Sequence, residues 1–241
     1  MEKYVEISTK TGGKDCVCRL VQYTARLLCY YGKSHGLTSP TLVAKLRALE
    51  KELSHTRKVL RLGQFIDHIV VVRSLFRLTH PTDSVQHWSR IYISICRILY
   101  LFCDNYLWAL ETRLIKCSEK RWAWRKHASV FYFAVTSLTL VRDCYLFWKL
   151  TRDVYKEYKR RLRHAAEIIE LSPKEPLVDK AVRERYLSVL LEFVRNLCDV
   201  WGPLVTLGQV KLTDGQTGLL GLASSCVILT TLLRPTLKNT L

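Results

Sequence analysis

The chain has 241 residues, of which 49% are hydrophobic, so it holds ample material for a packed core, and this composition excludes a disordered chain. Its 38 lysine and arginine residues face 21 aspartate and glutamate residues, and the resulting net charge of +17 requires an acidic partner, either nucleic acid or an anionic membrane. The mean hydropathy of +0.02 favours the membrane, because nucleic-acid binders of such charge are usually less apolar.

Two amphipathic helices are predicted near the start of the chain. Apolar residues recur at helical spacing from Val17 to Tyr31, and a turn at residues 36–40 ends this first helix. Ser39 followed by Pro40 predicts the N-cap and first residue of a second helix. Its apolar stripe consists of Leu42, Leu46, Leu49, Leu53 and Leu60.

The second helix, residues 42–66, is strongly basic. Lysine and arginine residues occupy the far side and the edges of the leucine stripe, and Glu50 and Glu52 are their counter-charges. Long basic side chains at such edges can lay their carbon stems on the apolar surface and hold the charge at lipid phosphates. A membrane-binding helix is therefore predicted, with the buried face of a bundle helix as the alternative. The predicted membrane-binding residues are Leu42, Lys45, Leu46, Leu49, Lys51, Leu53, Arg57, Lys58, Leu60, Arg61 and Phe65.

The apolar pattern changes side after Gly63. Leu62, Ile66 and Phe76 would project opposite the first stripe if the helix stayed straight. The helix is therefore expected to bend near Gly63 or to pack on two surfaces in succession.

Two hydrophobic segments follow a break at residues 80–84, where Ser84 is expected to cap the next helix. Residues 88–110, about 23 in number, are long enough to cross a bilayer. Arg97 and Asp104 share a face of this helix, and a central charge costs about 2.5–3.5 kcal/mol in a membrane, so both are expected to face a helix bundle or the headgroups. The uncharged run 130–141 follows a basic, tryptophan-bearing entry at 120–126 and is too short to span, which predicts a buried or interfacial helix.

The C-terminal part begins with a predicted linker at residues 172–176. A fifth helix follows it and ends near Trp201. Residues 215–233 carry no charge and are closed by Arg234, which predicts a transmembrane helix. Its small residues Gly218, Gly221 and Ser225 are predicted to form a helix-packing face.

These elements together predict an all-α, membrane-associated helical bundle with amphipathic helices and a C-terminal transmembrane helix. Three regions are expected: an N-terminal amphipathic-helix region at 1–83, a central hydrophobic region at 84–171, and a C-terminal helix and anchor at 172–241.

Motifs for catalysis and for metal or cofactor binding are absent from the sequence. It contains no phosphate-binding glycine loop, no paired Cys-x-x-Cys set and no His-Glu-x-x-His motif, so no catalytic residue, cofactor or metal is expected. Nine scattered cysteines indicate reduced thiols, and the first residues do not predict a signal peptide. Arg142 with Asp143, and Arg195 with Asp199, are predicted ion pairs.

Five blocks, in order, resemble the peroxin-11 family, the peroxisomal biogenesis factor 11 proteins, and more closely its animal alpha and beta types. They are Gly13-Lys14-Asp15 leading to Gln22-Tyr23-Thr24, RKVLRLGQF at 57–65, YLFCDNYLW at 100–108, LVRD at 140–143 and NLCD at 196–199. The resemblance covers nearly the whole chain.

The resemblance implies an integral peroxisomal membrane protein with both termini in the cytosol, which elongates the membrane before division. It implies that the helix at 42–66 inserts into one leaflet of an anionic phospholipid membrane, that copies self-associate, and that fission adaptors with a dynamin-related GTPase complete scission. A metabolite channel, which Arg97 and Asp104 would permit, is an alternative. A soluble nucleic-acid-binding helical protein is another, but the apolar run 215–233 opposes it.

Overall fold

The computed structural model describes residues 11–34, 39–78, 80–115, 121–167 and 180–234. Every regular element in these ranges is a helix, which confirms the all-α prediction. The helices are α1 (Thr11–Ser34), α2 (Pro40–Leu60), α3 (Gln64–Phe76), α4 (Ser84–Glu111), α5 (Arg121–Glu167), α6 (Lys180–Asp199), α7 (Trp201–Thr206) and α8 (Asp214–Leu233). The predicted linker at 172–176 and most of the predicted turn at 36–40 lie outside the described residues.

Side-chain caps fix the starts of three helices. Ser39 Oγ accepts a hydrogen bond from the Leu42 amide at 3.3 Å, with Pro40 in the first turn, as predicted for α2. Thr213 and Gln216 form a reciprocal capping box at α8. The expectation for α4 was wrong, because Asp83 and not Ser84 is the N-cap: its carboxylate accepts from two first-turn amides at 3.0 and 3.2 Å.

The bend expected near Gly63 is a full break between α2 and α3. Gly63 has φ +75°, in the left-handed region that glycine enters at little steric cost. The chain therefore leaves α2 at Arg61 and starts a new axis at Gln64.

Six of the helices form a closed ring. Around it α1 contacts α2, α2 contacts α4, α4 contacts α5, α5 contacts α6, α6 contacts α8, and α8 returns to α1. The α3 helix packs on α4, and α7 packs on α5 and α6. The three sequence regions are thus interleaved in the fold, since α1 of the first lies against α8 of the last.

The small residues predicted as a packing face lie where α8 meets α1. Ser225 is fully buried, and a Cβ added at Gly218 would lie 3.3 Å from the backbone nitrogen of Leu27. A Cβ at Gly221 would collide with the ring of Tyr23. The glycines therefore let two helices of the same chain approach closely.

Three helices are long and apolar enough to cross a membrane, judged by length and composition: α4, residues Arg121–Arg160 of α5, and α8. The expectation of a short helix at 130–141 was wrong, because this run lies inside the long helix α5. The short helix was predicted because the uncharged run ends at Arg142 and Asp143. In the structure these two charges pair with each other at 2.8 Å inside the bundle, and the helix continues past them.

The second predicted ion pair was wrong in its partners. Arg195 pairs with Glu192 at 3.2 Å, one turn away on α6. Asp199 instead pairs with Arg19 of α1. Burial alone would lower the pKa of the Arg19 guanidinium, but the Asp199 carboxylate raises it above its ordinary value, so Arg19 stays charged.

Candidate functional site

The predicted membrane-binding helix α2 lies on α1 with one face inward. Val43 is buried in this contact, and Glu50 accepts a hydrogen bond from Arg26 of α1 at 2.6 Å. The leucine stripe is consequently divided between two environments. Leu46, Leu53 and Leu60 are half-buried on the inner side, whereas Leu42 and Leu49 are 47% and 43% exposed.

The basic motif that ends α2 is tied to the bundle by ion pairs. Arg57 donates to the Asp15 carboxylate at 2.9 Å and to Gln22 Oε1 at 3.0 Å, both on α1. Lys58 donates to Glu111, at the end of α4, at 2.6 Å. The motif therefore joins α1 to the end of α4.

Arg61, the third basic side chain of the motif, contacts α4. It donates to Tyr100 Oη at 2.6 Å and pairs with Asp104 at 3.1 Å, both on α4. Burial alone would lower the pKa of the Arg61 guanidinium, but Tyr100 and the Asp104 carboxylate raise it above its ordinary value. Arg61 is thus charged at any physiological pH.

Ion pairing separates Arg57, Lys58 and Arg61 from the other predicted membrane-binding residues. Their side chains are only 13%, 17% and 18% exposed. In this conformation their charges meet carboxylates of the bundle and not a lipid phosphate. Lys45 and Lys51, by contrast, are exposed on α2.

A polar cleft of about 1180 Å³ lies beside Lys51, between α1, α2, the end of α4, and the starts of α5 and α8. Seven basic residues line it against four acidic ones. The basic residues are Arg26, Lys33, Arg47, Lys51, Lys58, Arg121 and Arg125. The cleft is open to solvent and suits an anionic group such as a lipid headgroup.

The largest apolar side chains exposed in this region lie on α3, beyond the break. Ile66, Val70 and Phe76 are 55%, 61% and 60% exposed, while Phe65 of the predicted set is half-buried. The predicted set contains only Phe65 from α3 and omits the rest of this helix, although the apolar pattern changes side after Gly63. The signal that could have included it is the apolar run at 69–72, which is too continuous for a helix with one buried stripe.

Aromatic residues at the start of α4 extend the exposed surface of α3. The rings of Phe76 and Trp88 are 6.4 Å apart, and Trp88 lies 6.3 Å from Tyr92. Arg73 and Arg77 are exposed close by in the chain. Tryptophan and tyrosine beside arginine are typical of the membrane interface. We name the exposed side chains Ile66, Ile69, Val70, Phe76, Trp88 and Tyr92 the α3 surface.

The ring of helices surrounds a second, polar cavity of about 680 Å³, which is partly open to solvent. It is lined by six arginines and two aspartates, among other residues. Arg97 and Asp104 were both predicted to face a helix bundle or the headgroups. Arg97 lines this cavity, whereas Asp104 forms an ion pair with Arg61. The pKa of His68 is lowered mainly by burial and further by the nearby Arg97 guanidinium, so its imidazole is neutral at physiological pH.

The bundle is strongly basic, exposes an apolar surface and contains three helices that are long and apolar enough to cross a bilayer. These features define the class of helical membrane proteins. Over residues 1–233 the sequence matches the family described as Peroxisomal biogenesis factor 11 (PEX11). The chain belongs to this family, which confirms the resemblance inferred from the five blocks and makes it a peroxisome biogenesis factor.

Full-length relatives support the assignment. The chain is 30% identical to Peroxisomal membrane protein 11B of Homo sapiens over 262 residues, covering 99% of both chains. It is 28% identical to Peroxisomal membrane protein 11A of Homo sapiens, over 99% of this chain and 98% of that one. Peroxisomal biogenesis factor 11 of Schizosaccharomyces pombe is 23% identical over 88% of this chain and 86% of its own length. No solved structure matches the chain significantly. The apolar helices and these relatives fit a peroxisomal membrane location.

Proposed function

We propose that this protein elongates the peroxisomal membrane by inserting an apolar helical surface into one leaflet, and that self-association concentrates this effect before fission. The observation that carries the proposal is the α3 surface, which exposes large apolar side chains next to basic residues. A wedge that enters about 5–10 Å into one leaflet expands that leaflet and favours curvature, and basic residues strengthen its binding to anionic lipid.

The division of α2 refines which residues act as the wedge. Leu42 and Leu49 can reach lipid from the outer side of α2, but Leu46 and Leu53 are already engaged with the bundle. Lys45 and Lys51 are the accessible cations of α2, and Arg57, Lys58 and Arg61 hold α2 in place. The proposed wedge therefore combines the outer side of α2 with the α3 surface.

Tubulation of liposomes by the full-length protein tests this role. The purified chain is reconstituted into vesicles of phosphatidylcholine alone or with added phosphatidylserine, and tubules are counted by electron microscopy. We expect tubules that depend on the anionic lipid, and their loss in the double variant Ile66→Glu, Val70→Glu, because two carboxylates on the wedge resist entry into hydrocarbon.

A matched control separates the wedge from general damage. Leu190 is 45% exposed on α6, a helix without the length and composition of a span, so Leu190→Glu adds a carboxylate at comparable exposure away from the α3 surface. Tubulation should persist in this variant. Equal tubulation by the α3 double variant and the wild type would refute the wedge.

An integral protein with both termini in the cytosol is part of the same proposal, as are fission adaptors and a dynamin-related GTPase as partners. Termini on one side require an even number of crossings, so two of the three candidate spans would cross. We assign the crossings to α4 and α8, because α5 carries Arg142 and Asp143 near its middle and continues into a polar half. Arg234 directly after α8 agrees with a cytosolic C-terminus. Protease protection of tags at each end of the chain in intact peroxisomes measures this topology.

A metabolite channel is a second candidate function, favoured by the polar cavity inside the ring of helices. Conductance of the purified protein in planar bilayers tests it. A channel through the cavity should lose or change its conductance in Arg97→Gln and keep it in Arg73→Gln, because Arg73 is exposed on α3 outside the ring.

A further inference from the structure

The polar cavity inside the ring of helices has the chemistry of an anion-binding site. Its lining contains Arg19, Arg26, Arg57, Arg61, Arg97 and Arg195, whereas its two carboxylates belong to Asp15 and Asp199. Both carboxylates are already paired, Asp15 with Arg57 and Asp199 with Arg19. The lining therefore has an excess of positive charge that no carboxylate within it neutralises.

Arg97 is the arginine that most clearly lacks an anion. Among the described residues no carboxylate lies within ion-pair distance of it, while Arg26, Arg61 and Arg195 have partners at 2.6, 3.1 and 3.2 Å. Arg19 also has a spare donor, because in the described part of the chain its buried Nε finds no hydrogen-bond acceptor. A charged group left unpaired inside a fold is costly, so an acceptor from outside the chain would stabilise this cavity.

The aromatic residues of the cavity hold the cations in position. The guanidinium groups of Arg19 and Arg26 each lie 5.6 Å from the centre of the Tyr23 ring. Tyr100 Oη accepts a hydrogen bond from Arg61, which leaves the proton of its own hydroxyl free to donate. The donors are thus ordered before any ligand arrives, which lowers the entropic cost of binding.

We propose that the polar cavity surrounded by the ring of helices binds a phosphorylated anion, with Arg97 as its principal partner. Planar guanidinium groups match phosphate oxygens in two-point contacts, and several of them together are the usual means of holding a phosphoryl group. A volume of about 680 Å³ lies within the range of small-molecule sites, about 300–1,000 Å³, so it admits an organic phosphate or a phosphorylated lipid headgroup. The site does not depend on the wedge, because no residue of the α3 surface lines the cavity.

Thermal unfolding and titration calorimetry of the full-length protein in neutral detergent test the site, with pyrophosphate as the probe. We expect pyrophosphate to raise the melting temperature above that in chloride of equal ionic strength. The rise should be the same in Arg73→Gln, which removes an exposed arginine, and the affinity should fall about ten- to hundredfold in Arg97→Gln, the usual effect of losing a charge-assisted hydrogen bond.

The behaviour of the ligand-free variants makes the test specific. Without pyrophosphate, Arg97→Gln should melt no lower than the wild type, because it removes an unpaired charge from the interior. Should it fail to fold, Arg97→Lys keeps the charge but loses the two-point contact, and its affinity should fall between those of the wild type and background. Two results would overturn the proposal: no stabilisation of the wild type by pyrophosphate beyond that by chloride, or full stabilisation of the Arg97 variants.

The source of the phosphate is decided in phosphatidylcholine nanodiscs with and without phosphatidylinositol 4-phosphate. If the headgroup occupies the cavity, this lipid weakens pyrophosphate binding and Arg97→Gln removes the competition. If the natural ligand is a soluble phosphate, pyrophosphate binds equally in both kinds of nanodisc. Each result supports the site and assigns its ligand to one source.

Discussion

Removal of the Asp104 carboxylate should destabilise the bundle, because it leaves Arg61 buried without its anion. The Arg61 side chain is 18% exposed and that of Asp104 is 9% exposed, so little solvent screens the pair. Breaking a buried ion pair from one side costs about 3–5 kcal/mol. Arg61 keeps its hydrogen bond to Tyr100, which places Asp104→Asn near the lower end, at about 3 kcal/mol. For a chain of this length that corresponds to a fall in melting temperature of about 6–12 °C.

Thermal unfolding followed by circular dichroism in neutral detergent measures this loss. Asp67→Asn is the matched control, because Asp67 is exposed on α3. The double variant Arg61→Met, Asp104→Leu removes both charges together and should recover most of the stability, since neither charge of this pair is then left buried without the other. The reasoning is refuted if Asp104→Asn melts within about 2 °C of the wild type, or if the double variant is as unstable as the single one.

Three further predictions concern helix packing, the break and a cap. Gly221→Leu should loosen the packing of α1 on α8 and increase amide hydrogen exchange in both helices, because the new leucine side chain would collide with Tyr23. The control Gly202→Leu should leave this exchange unchanged, because the space around Gly202 is open. Gly63→Ala should lower stability by about 1 kcal/mol in denaturant unfolding, since φ +75° strains any residue with a Cβ; an unchanged midpoint would contradict the left-handed turn. The hydrogen bond from Lys149 lowers the pKa of Asp83 below its ordinary value of about 3.9, so Asp83 stabilises the fold above that pH and the stabilisation is lost as the pH falls through the lowered pKa. The stability difference between wild type and Asp83→Asn should therefore be full at pH 7 and shrink in acid, and a constant difference would exclude this linkage.

Helical periodicity and local signals were enough to predict most of the fold. The start of α2 depends on Ser39 and Pro40, and the break before α3 depends on Gly63. The helix α8 corresponds to one uncharged run. Each of these signals lies within one continuous stretch of sequence, so each can be identified without knowledge of the fold. The cap of α4 was misassigned by one residue, because Asp83 and Ser84 are both good N-caps and the backbone conformation decides between them.

The partners of charged residues could not be predicted in the same way. Arg61 meets Asp104, and Arg19 meets Asp199, across helices far apart in sequence. A basic amphipathic helix has the same periodicity whether its cations meet lipid phosphates or carboxylates of its own bundle. The structure shows the second arrangement. Arg57 pairs with Asp15 and Arg61 pairs with Asp104, and all four residues lie within the family blocks.

Closure of the ring between α1 and α8 also sets the order in which this protein can fold. The thiol of Cys16 meets the carbonyl of Ser225 at 3.7 Å, across a separation of 209 residues. During synthesis α1 leaves the ribosome long before its partner exists, and contacts of such separation form late and slowly. Until then Arg19 of α1 lacks its partners Asp199 and Ser224. The chain therefore completes its architecture after α8 has been made, and a factor that shields α1 in the meantime would act on the nascent protein and not on the finished one.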